Sequence, residues 1–174
     1  MTRLLATLIL MTVAVSLAGE PEFDLLQIGH MEPKGRAQDQ QSDPVIALIV
    51  AAGKEAIPVL IELIESDRLY ERPPFDYWPE VHEGDMAFAI LCDLFLDPTW
   101  KKSTLPELCW ETALNRADSS VPAWELLSRY VDTYGRSGLA DQWRTAWSTH
   151  RDRIVWDEEG RFFRVAGHEL VSCR

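Results

Sequence analysis

Apolar side chains recur at helical spacing in the middle of the chain. Over residues 54–66 they form one wide face at the 3.6-residue period, with charged and proline positions opposite. The preceding segment, 43–52, starts with Asp43, which can cap a helix, and Pro44, whose missing N–H is not needed in a first turn. Gly53 can end that helix in a left-handed conformation. Two short helices with this much one-sided apolar surface must stack on neighbours.

Residues 85–96 are almost entirely apolar and predict a central buried helix. Asp85 falls in the first turn, where unpaired N–H groups and the helix dipole stabilise a carboxylate. Asp93 is the other charge, and its burial would require a partner such as an Arg or Lys of the second half. A catalytic carboxylate is the alternative, but no second acid stands at catalytic spacing on this helix.

The second half predicts three further helices followed by a hairpin. The helices cover 105–116, 121–134 and 138–154, with a capping box from Thr104 and Glu107 and a stop at Gly135. His150 lies on the apolar stripe of the last helix, which favours a core histidine. Two β-branched and aromatic runs within 154–165 flank a turn and predict a small β-hairpin.

The segment AAGKEAIPVLIELIESD at 51–67 resembles the inner-helix segment of HEAT-like α-helical repeats, in which a helix, a glycine and a proline-bearing amphipathic helix follow one another. The Trp-rich final helix and its hairpin also resemble the end cap of exported bacterial proteins of this type. The resemblance implies a mainly α fold, a HEAT-like stack of about five to six helices with a small C-terminal β-hairpin. It also implies a scaffold or protein-binding role without intrinsic catalysis.

The N-terminus predicts export. Residues 1–18 carry one charge, Arg3, and the uncharged run that follows is shorter than the roughly 20 residues of a membrane span. The run ends in small residues of the kind a signal peptidase reads, with an uncleaved anchor as the alternative. We therefore expect a soluble periplasmic or secreted protein without stable membrane insertion. Its expected parts are a signal peptide (1–18), a flexible lead-in (19–42), one helical-repeat domain with its hairpin (43–165) and a loose tail (166–174).

The charge of the chain is strongly negative and unevenly distributed. The formal net charge is −11; residues 20–98 contain 17 acidic and 5 basic side chains, whereas residues 99–174 contain 11 of each. This disfavours nucleic acid and anionic lipid as partners. It favours a cationic protein, peptide or metal ion, although acidity that serves solubility alone is an equal alternative.

The segment between the second and third predicted helices, residues 67–83, is unusually long, acidic and aromatic. Loops of this length in compact domains are commonly functional or disordered. Tyr and Trp often anchor interfaces, and an acidic surround would steer a cationic partner toward them. The alternative is that the rings fold back and close the core. The predicted partner-binding residues are Tyr70, Phe75, Asp76, Tyr77, Trp78, Glu80 and Glu83.

The cysteines and motifs give no catalytic, metal or cofactor site. Cys92 and Cys109 lie on successive predicted helices and could form a disulfide or stay buried thiols, and Cys173 is the odd one. No nucleophile elbow or phosphate-binding loop occurs, and the two His-Glu pairs lack the second histidine of a zinc protease. The acids near residue 80 fit no standard calcium loop.

The sequence thus predicts an exported, non-catalytic protein-binding module without a cofactor. A periplasmic inhibitor or immunity protein against a cationic secreted toxin or hydrolase is one form of this hypothesis. An adaptor or scaffold subunit of an envelope complex is an alternative, and a cell-envelope hydrolase is the opposing class.

Overall fold

The computed structural model describes residues 21–31, 36–74, 80–97, 102–105 and 123–172, with side chains omitted for 123–130. Its helices are α1 (Pro44–Ala52), α2 (Ala56–Leu63), α3 (Glu83–Phe95) and α4 (Ala123–His150). The strands are β1 (Lys102–Ser103), β2 (Ile154–Asp157), β3 (Phe162–Val165) and β4 (Val171–Ser172). Short 3-10 turns occupy Leu25–Gln27, Ala37–Asp39, Gly53–Glu55 and Arg151–Arg153.

The prediction of a mainly helical chain with a C-terminal hairpin is confirmed, but within the described ranges the helices are fewer than the predicted five to six. The helices predicted at 121–134 and 138–154 correspond to the two parts of α4, which are divided at the predicted stop, Gly135, by its non-helical backbone (φ 68°, ψ 163°). A 3-10 turn follows His150. The predicted helix at 105–116 lies almost wholly outside the described residues.

The first helical pair forms as its capping residues predict. The Asp43 carboxylate accepts hydrogen bonds from the N–H groups of Val45 (2.9 Å) and Ile46 (3.2 Å). Gly53, with φ 60°, ends α1 and turns the chain into α2. The stretch Pro44–Leu63 is long and apolar enough to cross a membrane by composition. In this fold it bends at Gly53, and Leu60 and Ile61 of α2 are buried in the core.

Helix α3 is the centre of the core, as its composition predicts. All but one of its residues are buried. The Phe95 ring meets Trp143 of α4 edge-on at 5.4 Å and Phe163 of β3 at 5.6 Å, centroid to centroid. One apolar helix therefore joins the first helical pair, the long last helix and the hairpin.

The first part of the lead-in was expected to be flexible but contributes to the core. Leu25 is fully buried and Met31 is 3% exposed. The N–H of Gly29 donates to the Asp43 carboxylate at 2.8 Å, and the N–H of Met31 donates to the Pro74 carbonyl at 2.8 Å. The buried apolar side chains of the lead-in add to the core, and the backbone N–H groups of Gly29 and Met31 are satisfied by hydrogen bonds to the rest of the protein.

The second part, residues 36–42, docks onto α3 and the hairpin. The buried Asp93 accepts a 2.8 Å hydrogen bond from the N–H of Ala37. The amide of Gln38, itself 0% exposed, donates to the carbonyls of Asp93 and Arg161, both at 2.8 Å. Sequence patterns did not indicate this docking because it depends on polar side chains meeting backbone groups distant in sequence.

The hairpin forms in the predicted place, with Trp156 opposite Phe163 and their rings edge-on at 5.0 Å. The tail was expected to be loose, yet β4 pairs antiparallel with β1. A strand of two residues is too short to show the alternating hydrophobic pattern from which a strand is predicted.

His150 is 8% exposed, which agrees with a core histidine. Cys92 is buried, but the disulfide prediction is untested because Cys109 lies outside the described residues.

Candidate partner-binding surface

The long loop leaves the helical core through a short antiparallel contact, residues 67–71 and 80–83, which we call the loop root. The N–H of Tyr70 donates to the Val81 carbonyl at 2.9 Å, and the N–H of Glu83 donates to the Arg68 carbonyl at 2.8 Å. Both ends of the loop are therefore fixed to each other directly before α3 begins.

Tyr70 anchors the loop root inside the protein. Its ring is 4% exposed and its hydroxyl donates to the backbone carbonyl of Leu25 in the lead-in. Burial raises the pKa of the Tyr70 phenol well above its ordinary value, and the nearby Glu83 carboxylate raises it further. Of the predicted contact residues, Tyr70 thus follows the core alternative and positions the loop without presenting a surface.

Glu83 is also held inside the protein. It is 1% exposed, its carboxylate accepts from the Ser66 hydroxyl at 2.6 Å, and Arg68 Nη1 lies 3.2 Å away. The other end of the Arg68 guanidinium reaches the Asp24 carboxylate at 3.3 Å. The charge of Glu83 is therefore compensated by neighbours, so this residue stabilises the loop root and offers no free carboxylate to a partner.

The next turn of α3 packs against the end of α2 without a gap. A Cβ added at Gly84 would stand 2.8 Å from the Ser66 carbonyl oxygen and closer still to that of Ile64. Asp85 caps the helix as predicted, since its carboxylate accepts from the His82 N–H at 2.8 Å. Arg136 of α4 donates to the same carboxylate at 2.7 Å. The start of α3 is thereby fixed to α2 and α4.

The exposed part of the loop root contains three carboxylates beside the guanidinium of Arg68. Asp67, Glu71 and Glu80 are exposed, and none makes an ion pair with another described residue. Glu71 and Glu80 each adjoin the hydrogen-bonded pair Tyr70 and Val81, so both carboxylates belong to the same end of the loop. The predicted contact residues Phe75, Asp76, Tyr77 and Trp78 lie outside the described residues.

A groove of about 770 Å³ runs along the loop root. Residues 26–30 of the lead-in form one side, and Arg68, Leu69, Glu71, Arg72 and Pro73 form the other. Leu69 is 53% exposed. The sequence prediction named rings and acids but missed Leu69; its only signal is a single leucine between Arg68 and Tyr70 at the start of a loop.

Much of the remaining acidity is neutralised within the protein. Arg144 of α4 contacts the carboxylates of Glu62 (2.7 Å) and Glu65 (3.2 Å) at the end of α2 and just beyond it, and its hydrogen bonds lower the pKa of Glu62. Arg161 of the hairpin contacts Asp39 at 2.5 Å. The uneven charge along the sequence thus serves partly to join the two halves, whereas Asp67, Glu71 and Glu80 of the loop root make no ion pair among the described residues.

The described residues contain no group of three or more His, Cys, Asp or Glu side chains that could hold a metal ion. The described residues thus form a mainly α-helical protein with a C-terminal β-hairpin, and the loop root is its candidate contact surface. Comparison with family models, with curated proteins and with solved structures found no match. The function must be argued from the surface itself.

Proposed function

We propose that this chain is an exported, non-catalytic module that binds another protein bearing a basic surface, and that the loop root and its groove form the contact. A periplasmic inhibitor or immunity protein acting on a cationic secreted toxin or hydrolase is the specific form of the proposal. The observation that carries it is Leu69, exposed at the edge of a groove, with the exposed carboxylates of Asp67, Glu71 and Glu80 on the same loop root; of these Glu71 lines the groove, together with Arg68 and Arg72.

The apolar part of the proposed contact is Leu69. A leucine side chain that is 53% exposed leaves apolar area in water, and a partner that covers it gains free energy of about 1 kcal/mol. Leu26 and Pro73 line the same groove, so a partner side chain inserted there would meet apolar surface from both sides. This arrangement suits an interface with a small apolar centre.

The polar part of the proposed contact is the acidic rim. A cationic side chain docked at the loop root would meet the exposed carboxylates of Glu71 and Glu80, and Asp67 adds a third negative charge at the same root. Exposed charges of one sign also accelerate the approach of an oppositely charged partner, with a strong dependence on ionic strength. Affinity and association rate should therefore both fall as salt is added.

The loop root is rigid enough to serve as a platform. Tyr70 and Glu83 hold its two sides to the lead-in and to α2. A contact surface ordered before binding loses less conformational entropy on association. The two predicted contact residues that are buried thus support the proposal as positioning residues, with Leu69, Glu71 and Glu80 making the contact.

The proposed scaffold and the proposed cellular compartment are argued mainly from the sequence. The helix–glycine–helix pair supports a HEAT-like scaffold, in which stacked helices present loops at one edge. The uncharged N-terminal segment supports export by a cleaved signal peptide. In that setting the natural partners are other exported or secreted proteins.

The test is affinity capture from periplasmic and secreted fractions with three mature chains: wild type, Leu69→Ser and Leu48→Ser. Leu48 is a matched control because it is 59% exposed and lies on α1, outside the groove. We expect a specific basic protein to be retained by wild type and Leu48→Ser, and about tenfold less by Leu69→Ser, as for an interface anchor. Retention should also weaken as ionic strength rises from about 0.05 M to about 0.5 M.

The proposal would be overturned if no exported protein is retained by the wild-type chain, or if both leucine variants reduce retention equally. Turnover of a cell-envelope substrate by the purified chain would favour the opposing class of hydrolase.

A further inference from the structure

A second concave site lies between α1, the end of α3 and the hairpin, and shares no residue with the groove at the loop root. It has a volume of about 300 Å³, at the lower end of the range for small-ligand pockets. Its floor is apolar: Ile49 and Leu94 are 1% and 2% exposed, and Phe163 is 5% exposed. The pocket can therefore accept a short apolar chain.

One wall of the pocket is the indole of Trp156. The ring is partly exposed and is held by its edge-on contact with Phe163 at 5.0 Å. A fixed indole offers apolar contact area and can also stabilise a cation near its face. The wall thus suits a ligand with an apolar stem and a positive end.

The hydrogen-bond donors at the rim are already engaged by the protein. Arg161 directs one guanidinium nitrogen to the Asp39 carboxylate at 2.5 Å and another to the Gln38 carbonyl at 2.8 Å. The amide nitrogen of Gln41 donates to the same carbonyl at 3.0 Å. Two nitrogens of Arg161 are therefore engaged within the protein, although the Asp39 carboxylate is shared with Arg36 Nε at 3.5 Å.

The acceptors at the rim are not engaged in the same way. Glu158 is exposed and makes no ion pair with another described residue, and the side-chain oxygen of Gln41 has no hydrogen bond within the described part of the chain. Among the charged side chains that line the pocket, Glu158 is thus the one without an ion pair to another described residue. Its complement is a donor that carries a positive charge.

We infer that this pocket binds a primary ammonium group carried on an alkyl stem, with the stem against Ile49, Leu94 and Phe163 and the ammonium at Glu158 and Gln41. The same chemistry occurs in a free alkylamine and in a lysine side chain of a partner protein. The inference goes beyond the proposed function, because it concerns a different surface and does not require the loop root.

The test follows the indole N–H resonance of Trp156, assigned by its loss in Trp156→Phe, while the full mature chain is titrated with n-hexylammonium. We expect a saturable shift with a dissociation constant on the order of 1 mM, as befits so small a ligand. Hexan-1-ol and hexanoate, which have the same stem without the positive charge, should bind more weakly. A lysine analogue blocked at both ends, if it binds as tightly as hexylammonium, identifies a partner's lysine as the source; if only hexylammonium binds, the source is a free amine.

Two neighbouring glutamates supply the matched variants. Glu158→Gln should weaken hexylammonium binding about two- to fivefold, the range for one exposed ion pair, whereas Glu159→Gln, which is exposed but outside the pocket, should leave it unchanged. The inference is overturned if hexylammonium causes no saturable shift, if hexanol or hexanoate binds as tightly, or if the two variants behave alike. Leu69→Ser should leave amine binding unchanged, so this result and the capture of a partner protein can fail independently.

Discussion

The close packing at the start of α3 predicts that Gly84→Ala destabilises the fold, although alanine is the better helix former. The added Cβ would stand 2.6 Å from Arg136 Nη1 and 2.8 Å from the Ser66 carbonyl oxygen, and closer still to the Ile64 carbonyl oxygen. The arginine side chain can move, but the two carbonyls belong to the backbone, so α3 must shift from the end of α2. Overpacking of this kind costs about 3 kcal/mol at the upper end of its range.

Helix propensity offsets part of this cost, by less than the roughly 1 kcal/mol that alanine gains over glycine in a helix interior, because Gly84 is the second residue of α3. The net loss in free energy of unfolding is therefore at least about 2 kcal/mol, and the melting temperature should fall by at least about 4–8 °C. Gly138→Ala is the matched control, because the nearest atom to its Cβ, Tyr134 Cβ, is an ordinary 3.6 Å away. That variant should gain about 1 kcal/mol and melt about 2–4 °C higher.

Thermal unfolding followed by far-UV circular dichroism, with urea unfolding as a second measure, compares the two glycine variants. The same change from glycine to alanine is expected to lower the melting temperature at position 84 and to raise it at position 138. A Gly84→Ala protein that melts at or above the wild-type temperature would refute the packing of α3 against α2 described here.

Three further predictions concern stability. Arg144→Met should lower the free energy of unfolding by about 0.5–1 kcal/mol at neutral pH, as for an exposed ion-pair network. Because the folded-state pKa of Glu62 is lowered, the difference in unfolding free energy between variant and wild type should shrink as pH falls toward about 3, which urea unfolding measures. Tyr70→Phe should cost about 1–2 kcal/mol by loss of a buried hydrogen bond. Because the Tyr70 pKa is raised, its extra stability is present below about pH 10 and declines above it, so wild type and variant should converge in alkaline urea titrations. Gln38→Ala should lower the free energy of unfolding by about 1–2 kcal/mol by leaving the Asp93 carbonyl without this donor, whereas the Arg161 carbonyl keeps Arg36 Nη2 at 3.2 Å; an unchanged unfolding midpoint would contradict the docking of the lead-in.

The parts of the fold that depend on local patterns could be predicted from the sequence. Asp43 and Pro44 mark the start of α1, Gly53 marks its end, and the cap at Asp85 forms as expected. The hairpin at 154–165 follows from two short β-type runs around a turn. In each case the signal lies within a few residues of the structure it specifies.

The remaining features depend on contacts between distant residues. The lead-in was expected to be flexible because residues 36–42 are mostly polar, yet Gln38 is buried by bonds to α3 and the hairpin. Tyr70 and Glu83 have the composition of interface residues but are used inside, since a neighbouring carbonyl, hydroxyl and guanidinium satisfy them. Leu69 became a candidate only when its exposure was known. The spacing of apolar residues predicts which face of an element is buried, but it does not show which polar groups form hydrogen bonds with residues distant in the sequence.

The central claim, that the loop root receives a basic partner, is tested most directly by hydrogen exchange of the mature chain with and without the captured protein. The account predicts slowed exchange of backbone amides in residues 67–83 and in the facing lead-in residues 26–30, with that protection lost in Leu69→Ser and retained in Leu48→Ser. Protection confined to α1, α4 or the hairpin, with unchanged exchange at the loop root, would contradict it.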